Sequence, residues 1–244
     1  MGAASLVSRL SRRAVGINSH DMREIMGAGL SGVGMEIGAF DSPFPVPLDC
    51  SVLYGDTFDY RSVTEPISPE SRLALVIPNI KARFEDLEAI SNDSLDFFVA
   101  SHVIEHTRNP IGAILGALAK LRQGGSLLLV VPDKERTFDK ERELTTLDHL
   151  IADHEQPSFE RDEQHYREYY KLAEPVPEAV YEQTWRMWAA QNYPIHYHTW
   201  TLRTFLEMVD EVRRRAGIAL EVSSHSTLVE TGGFEFYVRM TKAA

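Results

Sequence analysis

The sequence contains a single cysteine, Cys50, among 244 residues, and it has no long apolar run. One cysteine cannot form an internal disulfide, and there is no cysteine cluster of the kind that holds structural zinc. No stretch approaches the roughly 18 consecutive apolar residues of a membrane-spanning helix. A basic excess is also missing, since 36 acidic and 25 basic side chains give a formal net charge of -11. These features predict a cytoplasmic protein that does not bind membranes or, through a broad positive surface, nucleic acids.

Length and composition are those of an ordinary globular domain. Apolar residues make up 43% of the chain and charged residues 25%, which are average values for folded proteins. The length suits a single α/β domain over residues 1–244. Residues 1–30 are expected to form an N-terminal helix or tail. Residues 1–20 contain arginines, serines and no acid, as some organelle-targeting segments do, but they lack the apolar core of a secretory signal.

Apolar runs alternate with helical patterns along the chain. Strands are predicted at 33–38, 51–55, 79–83, 95–101 and 126–131, with a helix at 110–122. Strands separated by helices form βαβ units, and these units build a parallel sheet. Residues 133–198 are rich in charge, His, Tyr and Trp, which predicts a helical cap or lid inserted after the fifth strand. An amphipathic helix at 201–215 and an antiparallel strand pair at 218–223 and 234–240 complete the predicted fold.

A glycine loop and an acid follow the first two predicted strands. Residues 36–39 read Glu-Ile-Gly-Ala, and Asp56 comes 18 residues after Gly38. A glycine turn with a carboxylate about 20 residues later is typical of sites that bind an adenosine ribose. Only Gly38 remains of a glycine-rich pattern, because Phe40 occupies the next loop position. Taken alone, Glu36 and Asp56 are better explained as ordinary strand-end acids that face water.

Five segments in order carry a family resemblance. They are Glu-Ile-Gly-Ala at 36–39, Tyr-Gly-Asp at 54–56, Phe-Glu-Asp-Leu at 84–87, the run 93–106 that ends Ser-His-Val-Ile-Glu-His, and the run 124–132 that begins Gly-Gly. Together they resemble class I S-adenosylmethionine-dependent methyltransferases. Residues 131–145 and 196–205 resemble, more narrowly, a branch often encoded near glycosyltransferases. The resemblance covers roughly residues 33–241 and implies a Rossmann-like sheet of seven strands whose last strand is antiparallel.

The resemblance also assigns roles to individual residues. It implies that Glu36 and Gly38, with Ala39 and Phe40 in the same loop, lie beside the methionine part of S-adenosyl-L-methionine. Asp56 would bind the ribose hydroxyls. The remaining residues implied in cofactor binding are Phe84, Glu85 and Asp86 near adenine, and Ser101 and His102 under the sulfonium. Arg83 departs from the pattern, because it stands where many relatives have an aspartate that accepts the adenine amino group.

A base is expected for methylation of an oxygen acceptor. Asp133 directly follows the fifth strand, at the end that faces a substrate. His149 is the favoured candidate, and on a helix it or Asp148 would pair with Asp153. The alternative for His149 is a hydrogen-bonded histidine near the surface of a helix.

Four further residues are candidates for acceptor binding. Arg136 and Arg142 could hold a phosphate or carboxylate, although surface ion pairs with neighbouring glutamates explain them equally well. His196 and His198 alternate as on a strand and share one face. With Asp133 or Asp153 they could bind a divalent ion, but no His-x-x-x-His or Glu-x-x-His spacing supports this. Packing beside Trp200 is therefore favoured, and no metal site is predicted.

The predicted reaction is methylation of a small-molecule or glycan-type acceptor, on oxygen rather than nitrogen. The alternatives are a natural-product N- or O-methyltransferase and a non-catalytic scaffold that keeps the methyltransferase fold. A nicotinamide-dependent enzyme is disfavoured, because a full Gly-x-Gly-x-x-Gly is missing. The expected partner is a small molecule or a saccharide, and a homodimer stays open.

Overall fold

The computed structural model describes residues 19–57, 75–227 and 233–243. Within these ranges the α-helices are α1 (Ser19–Gly27), α2 (Pro110–Lys120), α3 (Leu147–Glu155), α4 (Phe159–Glu168), α5 (Glu178–Ala190) and α6 (Leu202–Ala216). The seven strands are β1 (Val33–Ile37), β2 (Ser51–Asp56), β3 (Ile80–Lys81), β4 (Leu95–Ser101), β5 (Leu121–Pro132), β6 (Leu220–Ser226) and β7 (Glu235–Lys242). The predicted N-terminal helix or tail falls partly on residues 1–18, which lie outside the described residues, and α1 follows them.

The seven strands form one sheet in the order β3-β2-β1-β4-β5-β7-β6. Strands β1 to β5 pair in parallel, whereas β7 runs antiparallel to both β5 and β6. The prediction of a seven-stranded sheet with an antiparallel last strand is confirmed. The strand order reverses at β1, between β2 and β4, which is where open parallel sheets bind ligands.

Several element boundaries differ from the prediction, most of all those of β5 and β3. Helix α2 ends at Lys120, and β5 begins at Leu121, five residues earlier than expected, because Leu121 pairs with Leu95 across a register shift. Strand β3 covers only Ile80–Lys81. The chain turns directly after it, and the backbones of Arg83 and Asp86 exchange two hydrogen bonds. A strand start and a tight turn depend on such local pairing, which apolar patterning does not reveal.

Both faces of the sheet are covered, as its apolar central strands require. On one face, α2 and α6 pack against alternate residues of β5, among them Leu127 and Leu129. On the other face, Leu128 and Val130 contact a second cluster built around α1 and Phe44. This arrangement explains why residues 127–131 are apolar without interruption.

The segment between β5 and α6 is largely helical, as predicted. A π-helical turn at Tyr169–Ala173 continues α4, and α5 packs against both. These elements have a small core of their own, which includes Tyr166, Tyr170, Trp185 and Tyr197. We call residues 133–198 the cap. None of the helices in the described ranges combines the length and the apolar character that crossing a membrane requires.

Candidate functional site

A cavity of about 590 Å³ opens at the carboxyl ends of β1, β2 and β4. Its volume is within the range of small-molecule sites. The sheet contributes Ile37, Gly38 and Asp56 to its lining, and the cap contributes Asn192, Pro194 and Tyr197. The other lining residues are Phe40, Thr57, Ala82, Arg83, Phe84, Glu85, His102, Val103, His106, Thr107 and Arg108. The cavity therefore lies between the sheet edge and the cap.

The loop after β1 approaches the cavity closely. Gly38 has a φ of 70°, and a Cβ atom there would lie 2.8 Å from Cγ2 of Val103. Phe40 also has a positive φ, 46°, in a region where bulky residues are rare. The loop bends as a glycine-rich loop does, but it presents an aromatic side chain to the cavity.

Glu36 supports this loop from behind. Its two carboxylate oxygens each lie 3.0 Å from the backbone nitrogen of Phe44, which donates to them. Burial raises the pKa of Glu36 to about 7, against the opposing effects of the Phe44 amide and the nearby Arg23. Glu36 is buried and does not line the cavity, so within the described residues its contact is with the loop.

The other predicted cofactor residues divide into two groups. Gly38, Phe40, Asp56, Phe84, Glu85 and His102 share the cavity, whereas Ala39, Asp86 and Ser101 do not line it in the described part of the chain. The carboxylate of Asp56 accepts a hydrogen bond of 2.7 Å from the Thr57 backbone. Ser101 accepts one of 2.8 Å from Arg23.

Two carboxylates flank His102 at the floor of the cavity. Its Nε2 lies 2.7 Å from Glu235, and its Nδ1 lies 3.5 Å from Glu105. Burial works against the imidazolium charge, but these two carboxylates outweigh it and raise the pKa of His102 to about 9. His102 is therefore an imidazolium at neutral pH, held in a left-handed backbone conformation with a φ of 53°.

From the sequence, His106 was expected to have a structural role and was not predicted as a site residue. Its ring lines the cavity, and its Nδ1 lies 3.0 Å from the carbonyl oxygen of Ile195. A carbonyl only accepts, so Nδ1 carries the hydrogen and Nε2 carries the lone pair. Burial lowers the pKa of His106 more than the Glu105 carboxylate raises it. The sequence does place His106 shortly after β4, a strand whose carboxyl end lies at the ligand-binding edge of the sheet.

Arg108, which was also not predicted as a site residue, lies on the wall of the cavity that includes Asn192 and Tyr197. Its guanidinium donates to Asn192 at 2.9 Å, contacts Asp162 at 2.9 Å and lies over the ring of Tyr197 at 5.0 Å. The wall is aromatic and polar, and it comes from the cap and the β4–α2 connection.

The structure does not bring the predicted bases to this cavity. Asp133 caps a short 3-10 helix by accepting from the Glu135 backbone at 3.1 Å, and burial raises its pKa. His149 pairs with Asp153 at 3.0 Å, as the sequence predicted, but within a separate cluster. Asp133 and His149 were predicted to face the substrate because both follow β5 in the sequence. The chain turns away from the cavity there, because the Asp133 backbone bridges to Trp200.

The four residues predicted to bind the acceptor are also absent from the lining formed by the described residues. Arg142 is buried, and its guanidinium donates to Asp139 at 2.9 Å and to the His196 carbonyl at 2.8 Å. Arg136 donates to the Thr227 carbonyl at 2.6 Å. His196 contacts Asp139 at 2.6 Å, and His198 is buried beside Trp200. Neither the acceptor role nor the surface ion pair fits Arg142, because its side chain is enclosed by protein.

Comparison with known proteins agrees with this geometry. A family model described as a methyltransferase domain matches residues 33–212. The chain belongs to this methyltransferase family. It is a class I S-adenosylmethionine-dependent methyltransferase, so the fold, the enzyme class and the cofactor expected from the sequence are confirmed.

Solved structures of methyltransferases are similar to the chain at low identity. A SAM-dependent methyltransferase from Thermotoga maritima is 18% identical, over 91% of this chain and 88% of that one, with a TM-score of 0.48. An S-adenosylmethionine-dependent methyltransferase from Mesorhizobium loti is 14% identical, over 87% of this chain and 92% of that one, with a TM-score of 0.46. A search of curated protein sequences found no match to this chain.

Proposed function

We propose that this methyltransferase methylates a hydroxyl oxygen of a small-molecule or glycan-type acceptor, with His106 as the general base. The observation that supports this most is the hydrogen bond from Nδ1 of His106 to the Ile195 carbonyl, on the wall of the cavity. It leaves the lone pair on Nε2, and the lowered pKa keeps the ring neutral at neutral pH. Hydroxyls have a high pKa, so a positioned base accelerates their attack.

The lining residues fit the cofactor of the family. Ile37, Ala82 and Phe84 form an apolar wall for a flat base, and Phe84 is itself fixed by stacking on Phe98 at 5.5 Å. The carboxylate of Asp56, at the end of β2, is suited to accept from ribose hydroxyls. Gly38 leaves room for close approach, since a Cβ there would already contact Val103. When bound, S-adenosylmethionine supplies an electrophilic methyl group.

The opposite wall is assigned to the acceptor. Arg108, Asn192 and Tyr197 line it. Hydrogen-bonding groups beside an aromatic ring suit a ring that bears hydroxyls, such as a sugar. This wall supports an acceptor of that class and gives no reason to prefer an amine.

His106 would move one proton. Its Nε2 takes the acceptor proton as the oxygen attacks, and the Ile195 carbonyl holds the ring through Nδ1. The buried carboxylate of Glu105, the adjacent residue, raises the pKa of His106, so it favours the imidazolium that forms. Because methyl transfer is an in-line displacement, the remaining task of the protein is to position the two reactants.

The test compares His106→Gln with His225→Gln, a change at an exposed histidine on β6. Purified proteins are incubated with radiolabelled S-adenosylmethionine and matched panels of hydroxyl and amine acceptors, including sugars. We expect transfer to a hydroxyl compound, a loss of at least about 100-fold in turnover in His106→Gln, and unchanged binding of S-adenosylhomocysteine. Full turnover in His106→Gln contradicts the role of the base, and transfer only to amines contradicts O-methylation.

A further inference from the structure

Four metal-ligating side chains converge outside the cofactor cavity. They are His149, Asp153, His165 and His198, and their donor atoms all lie within 4.8 Å of one another. His149 and Asp153 are four residues apart on α3 and therefore lie on one face of the helix. His165 comes from α4, and His198 comes from the extended segment that leads to α6. We call these four residues the histidine cluster.

The spacing within the histidine cluster is that of ligands around one ion. The Nε2 atoms of His149, His165 and His198 lie 3.0, 3.5 and 3.7 Å from Oδ2 of Asp153. The Nε2 atoms of His149 and His165 lie 3.4 Å apart. Tetrahedral zinc with bonds of about 2.0 Å to nitrogen and oxygen separates its ligands by about 3.3 Å. The three imidazole planes are steeply inclined to one another, at 74° to 82°.

Hydrogen bonds explain only part of this convergence. Oδ2 of Asp153 is buried and makes no contact of hydrogen-bond geometry with any residue in the described ranges, although three imidazole nitrogens approach it. A buried carboxylate oxygen in that state is costly. Nε2 of His198 also lies 3.2 Å from the carbonyl oxygen of Arg108, to which it donates in the absence of a metal, so a metal bound at Nε2 would replace this hydrogen bond.

A neighbouring arginine orients the carboxylate. The Nε atom of Arg161 donates to Oδ1 of Asp153, and its Nη2 donates to the His149 carbonyl at 3.1 Å. Oδ2 is thereby turned toward the imidazoles, as outer partners of metal sites turn their ligands.

We propose that the histidine cluster binds one divalent transition-metal ion. A ligand set of three imidazoles and one carboxylate favours Zn²⁺. Four protein ligands make a closed, structural site. The ion would fasten α3 and α4 to the segment that carries His198, and Pro194 and Tyr197 of that segment line the cofactor cavity. His149 is one-third exposed, and Asp153 borders a second cavity of about 320 Å³, which together provide a path of entry.

The full-length protein is treated with chelator and titrated with Co²⁺, whose tetrahedral complexes absorb strongly in the visible. We expect one equivalent to bind, Zn²⁺ to displace it, and Zn²⁺ to raise the melting temperature. Bound metal in the untreated protein is counted by mass spectrometry. No binding of either ion to folded wild-type protein overturns the proposal.

Variants assign the site. His149→Ala changes the partly exposed member of the histidine cluster and Asp153→Asn changes the carboxylate, while His225→Ala is the matched control on exposed β6. We expect the two cluster variants to lose Co²⁺ absorption and the rise in melting temperature, and His225→Ala to keep both. Circular dichroism establishes which variants are folded. A folded His149→Ala that binds Co²⁺ as wild type does, or a loss of binding in His225→Ala, overturns the proposal.

Discussion

The Nε2 atom of His102, on the floor of the cofactor cavity, lies 2.7 Å from Oε2 of Glu235 on β7. The contact joins two residues 133 positions apart, one just after the parallel strand β4 and one on the antiparallel strand. The other oxygen of Glu235 accepts from Tyr237, so both oxygens are engaged. The charge of His102 thus ties the cavity floor to the last strand of the sheet.

This ion pair predicts a pH dependence of stability. The pKa of His102 is raised from its ordinary 6.5 to about 9, so the folded state holds the proton more tightly than the unfolded chain does. The stability that follows is fully present below about pH 6.5 and is lost as the pH rises through 9. We expect the melting temperature of the wild type to fall more steeply between pH 7 and 9.5 than that of His102→Gln. Parallel slopes for the two proteins would rule out the ion pair as the cause.

Arg142 predicts a stability effect of another kind. Its buried guanidinium contacts Asp139, Glu168 and two backbone carbonyls. Arg142→Met removes one partner of a buried pair, which costs about 3–5 kcal/mol of unfolding free energy. Arg142→Lys should recover only part of this, because an ammonium lacks the planar fork of donors.

Urea denaturation measures both changes. The control is Arg213→Met, which removes an exposed contact of 3.3 Å to Asp210 and should cost at most about 1 kcal/mol. Equal midpoints for Arg142→Met and Arg213→Met would show that the buried network is not what holds the cap.

The separate core of the cap predicts the effect of a change at Trp185. This side chain is fully buried, and the guanidinium groups of Arg167 and Arg186 lie 4.2 and 4.4 Å from its ring centre. Trp185→Ala should cost about 3–5 kcal/mol of unfolding free energy. Trp185→Phe should cost less, because a phenylalanine ring fills most of the same space and still faces the two guanidinium groups. Limited proteolysis measures how readily the cap opens in the wild type, in Trp185→Ala and in Trp185→Phe. Cleavage in the cap at the same rate in these three proteins would contradict the prediction.

Much of the sheet could be predicted because its information is local. The apolar run 126–131 reports burial on both faces, and the segments around Gly38 and Asp56 place a loop and an acid at the ends of β1 and β2. Register pairs Ile37 with Gly55 and Ala100, so the carboxyl ends of three strands meet. A parallel sheet makes that outcome unavoidable once the strands are recognised.

The proposed catalytic part of the site could not be predicted in this way. Whether His106 or His149 faces the cavity depends on how the cap folds back, since the partner of His106 is Ile195, 89 residues further along. The pairing of His149 with Asp153 is local and was predicted correctly, but it says nothing about distance from the cavity. Arg142 is enclosed by carbonyls of residues 196 and 197, a tertiary contact that charge patterning does not reveal.

We propose that the cavity at the ends of β1, β2 and β4 holds the cofactor through Asp56. Calorimetric titration with S-adenosylhomocysteine tests it on the wild type, on Asp56→Ala and on Asp49→Ala, an exposed aspartate that does not line the cavity. We expect one site of micromolar affinity in the wild type and in Asp49→Ala, and a loss of at least about tenfold in Asp56→Ala, or about 1.4 kcal/mol. Equal affinity in all three proteins, or no heat with the wild type, would contradict binding of the cofactor through Asp56.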